Sequence, residues 1–277
     1  MTLTSFAHAM TLRPLTDAPA GPAFAADLSP HWTIGAKIHG GVMVALCAKA
    51  GTAAMADTAP GAQPLVVSAD FLGAPDPGEV QLVTAVRKRG RRVGVVDVEL
   101  TQSGRTAVRA AVTVGAAESR AAPLLVANPD MDDAVMPAEP PDGLAAIGPG
   151  HPMAEINHLA AGCDIRPDLA SVWTHEPGRS PVTRVWVRPR AEPTDPLFAL
   201  LAGDISMPVT FAVGRTGWAP TVQMTAYLRG LPADGWLRVI CTTTQIGQTW
   251  FDADHTVVDS AGAVVVQTRQ LAMVPTP

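Results

Sequence analysis

The feature that most limits what this chain can fold into is an order of elements that occurs twice. A long, mainly apolar helical run is followed by strand-like runs separated by turn formers, first over residues 40–115 and again over 197–274. The two stretches can be laid on one another. Phe71-Leu72 meets Tyr227-Leu228, Gly78 meets Gly235 after a one-residue shift, Asp97 meets Asp254 and Ser103 meets Ser260. The identities are few, so the shared order carries the comparison. A repeat of this length marks a duplicated domain and not a solenoid.

In the first unit, Phe24 to Leu28 reads as a strand. Gly40 to Met55 reads as a helix buried on most sides, because Ala, Val, Leu, Met and small residues are spread evenly round it. LVVSADFLGA, EVQLVTAVRKR, RVGVVDVELTQ and TAVRAAVTVG then read as an antiparallel meander. Apolar and polar residues partly alternate from Val93 to Leu100, the pattern of a strand with one covered face. In the second unit, IRPDLASVWTH and PVTRVWVRPR are strand-like, and Leu197 to Ala212 (LFALLAGDISMPVTFA) reads as a helix. TVQMTAYLRGL, GWLRVICTTTQI, WFDADHTVVD and AVVVQTRQLAMV follow as strands. Residues 1–22 form a turn-rich lead-in, and 116–150, rich in Pro, Ala and acids with no clear period, a linker or surface-wrapping connection. The expected organisation is a first unit over 1–118, a linker over 119–150 and a second unit over 151–277. An antiparallel sheet wrapped round a central apolar helix, present twice, is an α+β double hotdog.

A chain of 277 residues, 47% hydrophobic, is long enough for two such units and can bury a real core. Its net charge of −5 and lack of a basic stripe argue against nucleic acid as a partner. The densest basic run, Arg87 to Arg92, sits between two strands and reads as a solvated hairpin tip or a site for the phosphates of a ligand. Cys47, Cys163 and Cys241 are far apart and form no metal-ligand spacing; the odd count points to a reducing compartment. The start shows no charged n-region followed by an apolar run, and no apolar run reaches the roughly 18 residues that span a membrane. The expectation is a soluble, cytoplasmic protein.

One residue breaks the apolar pattern of the second helix. Asp204 falls where the apolar face should be, and a buried charge is costly unless it is paired or used. It also reads simply as the N-cap of a helix that begins at Ile205. Thr221 and Gln270, on two later strands, are possible partners; each also reads as an ordinary strand residue. His39, ahead of Gly40 and Gly41, reads as a substrate contact, a base or a structural His, and the two glycines allow a ligand or backbone to come close. Trp218 reads as lining an acyl tunnel or as core, and the other tryptophans as core or interface. His31, His151, His158, His175 and His255 are scattered without metal spacing. Signatures of nucleotide hydrolysis, Rossmann cofactors, zinc peptidases and the GxSxG nucleophile are absent.

On these residues the chain resembles acyl-CoA thioesterases of the bacterial thioesterase II type. HGGVMVAL, from His39, is similar to the start of that family's first hotdog helix. AGD at 202–204, PTVQMTAYLR with Thr221 and VVVQTRQLAMV with Gln270 fall where the family carries its catalytic Asp, Thr or Ser, and Gln. The resemblance covers nearly the whole chain except the linker. It implies hydrolysis of acyl-CoA in lipid metabolism, with Asp204, Thr221 and Gln270 as the catalytic set and His39, Gly40, Gly41, Gly203 and Trp218 at the substrate. It implies no metal or cofactor, and a homodimer. Val112 stands near the place matching Gln270 and Gly41 roughly opposite Asp204, so the first unit lacks the set. Two other readings stay open: a hydratase or dehydratase of acyl thioesters, whose HxxxxN or DxxxxH helix start neither unit shows clearly, and a non-catalytic acyl-thioester binding protein.

Overall fold

The structure, a computed structural model, describes residues 5–15, 21–118, 123–125, 136–174 and 178–276. Residues 16–20 of the lead-in, 119–122 and 126–135 of the linker, and His175 lie outside the described residues. The strands are β1 (Arg13–Leu15), β2 (Ala23–Leu28), β3 (Thr33–Ile34), β4 (Lys37–Ile38), β5 (Gln63–Phe71), β6 (Gly78–Arg89), β7 (Val93–Gln102) and β8 (Arg105–Gly115) in the first half. The second half has β9 (Cys163–Pro167), β10 (Val182–Pro189), β11 (Thr221–Leu228), β12 (Leu237–Thr242), β13 (Trp250–Val258) and β14 (Val264–Met273). The α-helices are α1 (Phe6–Ala9), α2 (Gly40–Ala53), α3 (Leu169–Trp173) and α4 (Pro196–Ala202).

Twelve strands form one sheet in the order β1-β2-β6-β7-β8-β5-β11-β14-β13-β12-β10-β9. Read outward from its middle, each half repeats the same succession, β5-β8-β7-β6-β2 on one side and β11-β14-β13-β12-β10 on the other. This is a double hotdog. The first half is therefore not a simple meander over its four expected strands: β5 pairs with β8 and not with β6. Its other edge pairs antiparallel with β11, Ser68 against Thr225 and Ala69 against Met224, which joins the halves through equivalent strands.

The sheet curls round α2. Val42 to Ala48 are all buried, so this helix has no polar stripe and is stable only inside a sheet. Strand alternation supplies the facing surface: Val96, Val98 and Leu100 point inward, while Asp97 and Glu99 face Arg87 and Arg109 outside. Each fully buried Val or Leu contributes about 1.5–3 kcal/mol. Where helix and sheet come closest, Gly51 lies against Val112, and a Cβ there would sit 2.8 Å from the valine Cβ.

Two expectations need correction. Leu197 to Ala212 is not one helix: α4 ends at Ala202, a turn covers 203–208, and a short 3-10 turn spans Val209–Val213. Gly203 is the C-cap of α4, and Pro208 caps the start of the 3-10 turn. IRPDLASVWTH is a strand only to Pro167; the side chain of Asp168 then caps α3. The tryptophans divide: Trp32, Trp186 and Trp236 are buried, whereas Trp173, Trp218 and Trp250 are about half exposed. The described end of the linker wraps the second half. Pro137 O accepts from Trp186 Nε1 (2.8 Å), Met136 O accepts from Arg238 (2.8 Å), and Ile147 N–H donates to Ile165 O (2.9 Å).

Candidate functional site

The short α4 begins well and ends abruptly. Asp195 caps it, accepting from Phe198 N–H at 2.7 Å, with Pro196 in the first turn. At its end the N–H groups of Gly203, Asp204 and Ile205 bond back to Ala199 and Leu200, Leu201, and Ala202. Asp204 thus stands one residue beyond a helix C-cap and caps no helix of its own. Gly203 is required here: a Cβ on it would run into Thr268 Cγ2.

The Asp204 carboxyl crosses to the other half, where it meets the start of α2. It accepts from Gly41 N–H, and its Oδ2 lies 3.7 Å from His39 Nε2. His39 is the N-cap residue of α2 but makes no side-chain cap bond, so Asp204 supplies that role from across the molecule. His39 Nε2 donates to the backbone O of Asp204 at 3.0 Å, since a carbonyl only accepts. That places the proton on Nε2 and leaves Nδ1, buried, with no hydrogen-bond partner among the described residues. Gly40 and Gly41 permit the contact. A Cβ on Gly40 would sit 2.6 Å from Asp204 Oδ2 and one on Gly41 2.7 Å from Leu201 O. The Asp204 side chain is only 9% exposed. Burial pushes its carboxyl above the ordinary carboxylate range, opposed by His39 and the Gly41 N–H.

Thr221 and Gln270 form a second element. Thr221 Oγ1 donates to Gln270 Oε1 at 3.0 Å. Plain alternation would put Thr221 on the same face as Gln223 and Thr225, which bond with Ser68 on the outer face. A bulge between Thr221 and Gln223 turns it inward instead, opposite Ala272 and beside Gln270. Gln270 shares its face with Thr268, two residues earlier and thus about 7 Å along the strand. Thr268 Oγ1 donates to Gly203 O at 2.6 Å, so this face of β14 runs under the Asp204 turn. Among the described residues no hydrogen bond joins Asp204 to Thr221 or Gln270.

Trp218 is 52% exposed, in the loop that leads into Thr221. The basic run lies at the far end of α2. Arg89 reaches Thr58 and Met55 there, about 20 Å from the helix start, and Arg87 pairs with Asp97. Sequence reasoning gave no role to three polar residues at the turn: Ser206 within it, and His255 and Thr268 on the strands beneath it. The signal was there: His255 shares the inward register of Phe251, Ala253 and Val257 in an otherwise apolar row. Among the described residues no cluster of His, Cys, Asp and Glu is placed to hold a metal.

The comparisons agree with one another. The model of an acyl-CoA thioesterase N-terminal domain matches residues 28–115, and that of an acyl-CoA thioesterase C-terminal domain matches 132–274. An uncharacterized protein of Mycobacterium tuberculosis is 58% identical over 287 residues, covering 98% of each chain. Among solved structures, a protein of Thermobifida fusca provisionally called a thioesterase II is 25% identical, with a TM-score of 0.82 over 100% of this chain and 99% of that one. The acyl-CoA thioesterase II TesB2 of Mycobacterium marinum, at 17% identity, has a TM-score of 0.70 over 99% of both chains and shares the fold.

Proposed function

We propose, for a chain that belongs to the acyl-CoA thioesterase family, that it hydrolyses acyl-CoA to free acid and CoA with Asp204 as general base. The observation that carries this is the buried carboxyl of Asp204, lodged against the first turn of α2 where the two halves meet. A carboxyl raised toward neutral pH is a better base than an ordinary one, because its proton affinity is closer to what the step needs.

In this reading Asp204 takes a proton from a water as its oxygen bonds to the thioester carbon. Thr221 and Gln270, held to each other, orient that water. The oxyanion forms against the first-turn N–H groups of α2, with those of Gly40 and Val42 available because Gly41 serves Asp204. When the tetrahedral species collapses, the C–S bond breaks and the leaving sulfur takes the proton from Asp204. His39, Gly40, Gly41 and Gly203 shape the site, and Trp218 with Arg215 stands at the surface before Thr221, where the nucleotide end of CoA would lie.

The test is thiol release from short- to long-chain acyl-CoAs, parent beside Asp204→Asn. The expected result is release by the parent and a loss of about 10²- to 10⁴-fold in the variant. Equal rates in the two proteins would remove Asp204 from the chemistry. A folded parent that releases nothing but binds acyl-CoA would point to a binding protein, and addition of water to an enoyl-CoA to a hydratase.

A further inference from the structure

We infer that His255 is a positioning residue for the Asp204 base, clamping the turn that carries it from both sides; this rests on the reading of Asp204 given above.

His255 lies on the inward face of β13, paired with Cys241 on β12 and Thr268 on β14, and is 2% exposed. Its Nε2 lies 2.8 Å from Ser206 Oγ and its Nδ1 3.1 Å from Thr268 Oγ1. Thr268 Oγ1 in turn lies 2.6 Å from Gly203 O. The last member fixes every proton. Gly203 O only accepts, so Thr268 donates to it and receives from His255 Nδ1–H. Neutral Nε2 then accepts from the Ser206 hydroxyl. The two ends of this relay are Gly203 and Ser206, the residues that bracket Asp204.

A row without an imidazole would fill the same space, and the first half shows one, with Thr84 its one polar member. By the internal alignment that sets Asp97 opposite Asp254, the row Thr84, Val98, Ala110, Ala69 corresponds to Cys241, His255, Thr268, Ala226. Sheet closure alone therefore does not need an imidazole. Burying one with two hydroxyls carries a desolvation cost that only a complete hydrogen-bonded set offsets. What the polar row adds is direction: it fixes a backbone carbonyl and a side chain on either side of the carboxyl. Among the described residues, Cys241 on β12 is paired with His255, His39 at the start of α2 acts on its charge, and Asp204 and Asp254 act on the Cys241 thiol.

The experiment compares the full-length parent with His255→Gln, Ser206→Ala, Thr268→Val and the double variant Ser206→Ala/Thr268→Val. It reads kcat and KM on an acyl-CoA the parent hydrolyses, the pH profile of kcat, and amide hydrogen exchange. We expect His255→Gln to lower kcat by about 10- to 100-fold with KM little changed, the size of effect that a small misplacement of a base produces. The acid limb of kcat should move to lower pH, because a loosened turn lets water reach the carboxyl. Exchange at Asp204 and Ile205 should quicken while β13 and β14 stay protected. The double variant should lose less than the product of its singles, as parts of one relay do. A folded His255→Gln with kcat within about twofold of the parent and an unmoved limb overturns the inference. Should that variant not fold, Ser206→Ala and Thr268→Val decide by the same readings. A parent that releases no thiol overturns the hydrolase reading alone, and the exchange at Asp204 and Ile205 still decides the clamp.

Discussion

The two halves share one succession of strands, yet they treat their helices differently. In the first half, α2 runs for 14 residues and meets the sheet through Gly51 and Val112, a wholly apolar contact. In the second, α4 stops after 7 residues, and the space that a longer helix would fill holds a turn with an acid on it. The sheet beneath changes with it, from Val98 and Ala110 to His255 and Thr268. The duplicated frame makes room for this turn by shortening one helix while the other keeps the core. The shortened half then relies on its neighbour, because the carboxyl of Asp204 finds its donors at the start of α2.

The sharpest way to break this comparison is Asp204→Asn, for which the activity loss proposed above is the largest effect expected. Its stability should move the other way. The folded carboxyl titrates above its unfolded value of 3.8, so ionisation costs the native state stability as pH rises past that value. The amide still accepts from Gly41 N–H. Melting temperatures at pH 8 should therefore equal or exceed the parent's, with the gap closing as pH falls toward 4. In the same parent, kcat should rise with pH along a limb placed above the ordinary carboxylate range.

Next come Thr221→Val and Gln270→Ala. Each should lower kcat by about 10- to 100-fold with the fold retained, since orientation of a reactant and not proton transfer is lost. A Val112→Gln change in the first half should bring no activity to an Asp204→Asn background, because no acid stands beside it. Thiol release on purified, folded variants reads all three.

A smaller effect separates the two rows in stability. Burial pushes His255 from its ordinary 6.5 down to about 4. The unfolded chain takes up a proton below 6.5 and the folded one does not, so native stability is full above 6.5 and lost as pH falls toward 4. The contribution is about 3 kcal/mol at its limit. Replacing the row with its first-half equivalents, His255→Val and Thr268→Ala, should flatten this part of the pH dependence in denaturant titrations. Smallest is the effect at the surface. Arg215→Ala should raise KM for acyl-CoA by about fivefold or less and leave KM for an acyl-pantetheine unchanged. Arg91→Ala and Arg92→Ala, at the distant hairpin tip, should alter neither.

Much of this architecture is legible in the residues. The repeat, the buried α2 and the outward charges of β7 follow from periodicity, and Asp204 stands out because nothing else in its run is charged. What could not be read has identifiable causes. Leu197 to Ala212 is apolar enough to read as a helix throughout, and its break at Gly203 is enforced by Thr268, some 65 positions later. Alternation assigns Thr221 to the outer face, and only the ladder with β14 reveals the bulge that turns it in. The closure of β5 on β8 and its pairing with β11 are long-range contacts that local pattern does not contain. His255 was different. Its inward register is visible in WFDADHTVVD, but a lone histidine in an apolar row gave no hint of the turn it holds.

The reach of Asp204 to the start of α2 bears on how the protein is made. The first half leaves the ribosome with its glycine-rich helix start and no carboxylate to face it. With Asp204 as the proposed base, competence for hydrolysis would arrive only when α4 has been synthesised and docked. A chain interrupted after the linker would carry the start of α2 without the carboxyl that caps it.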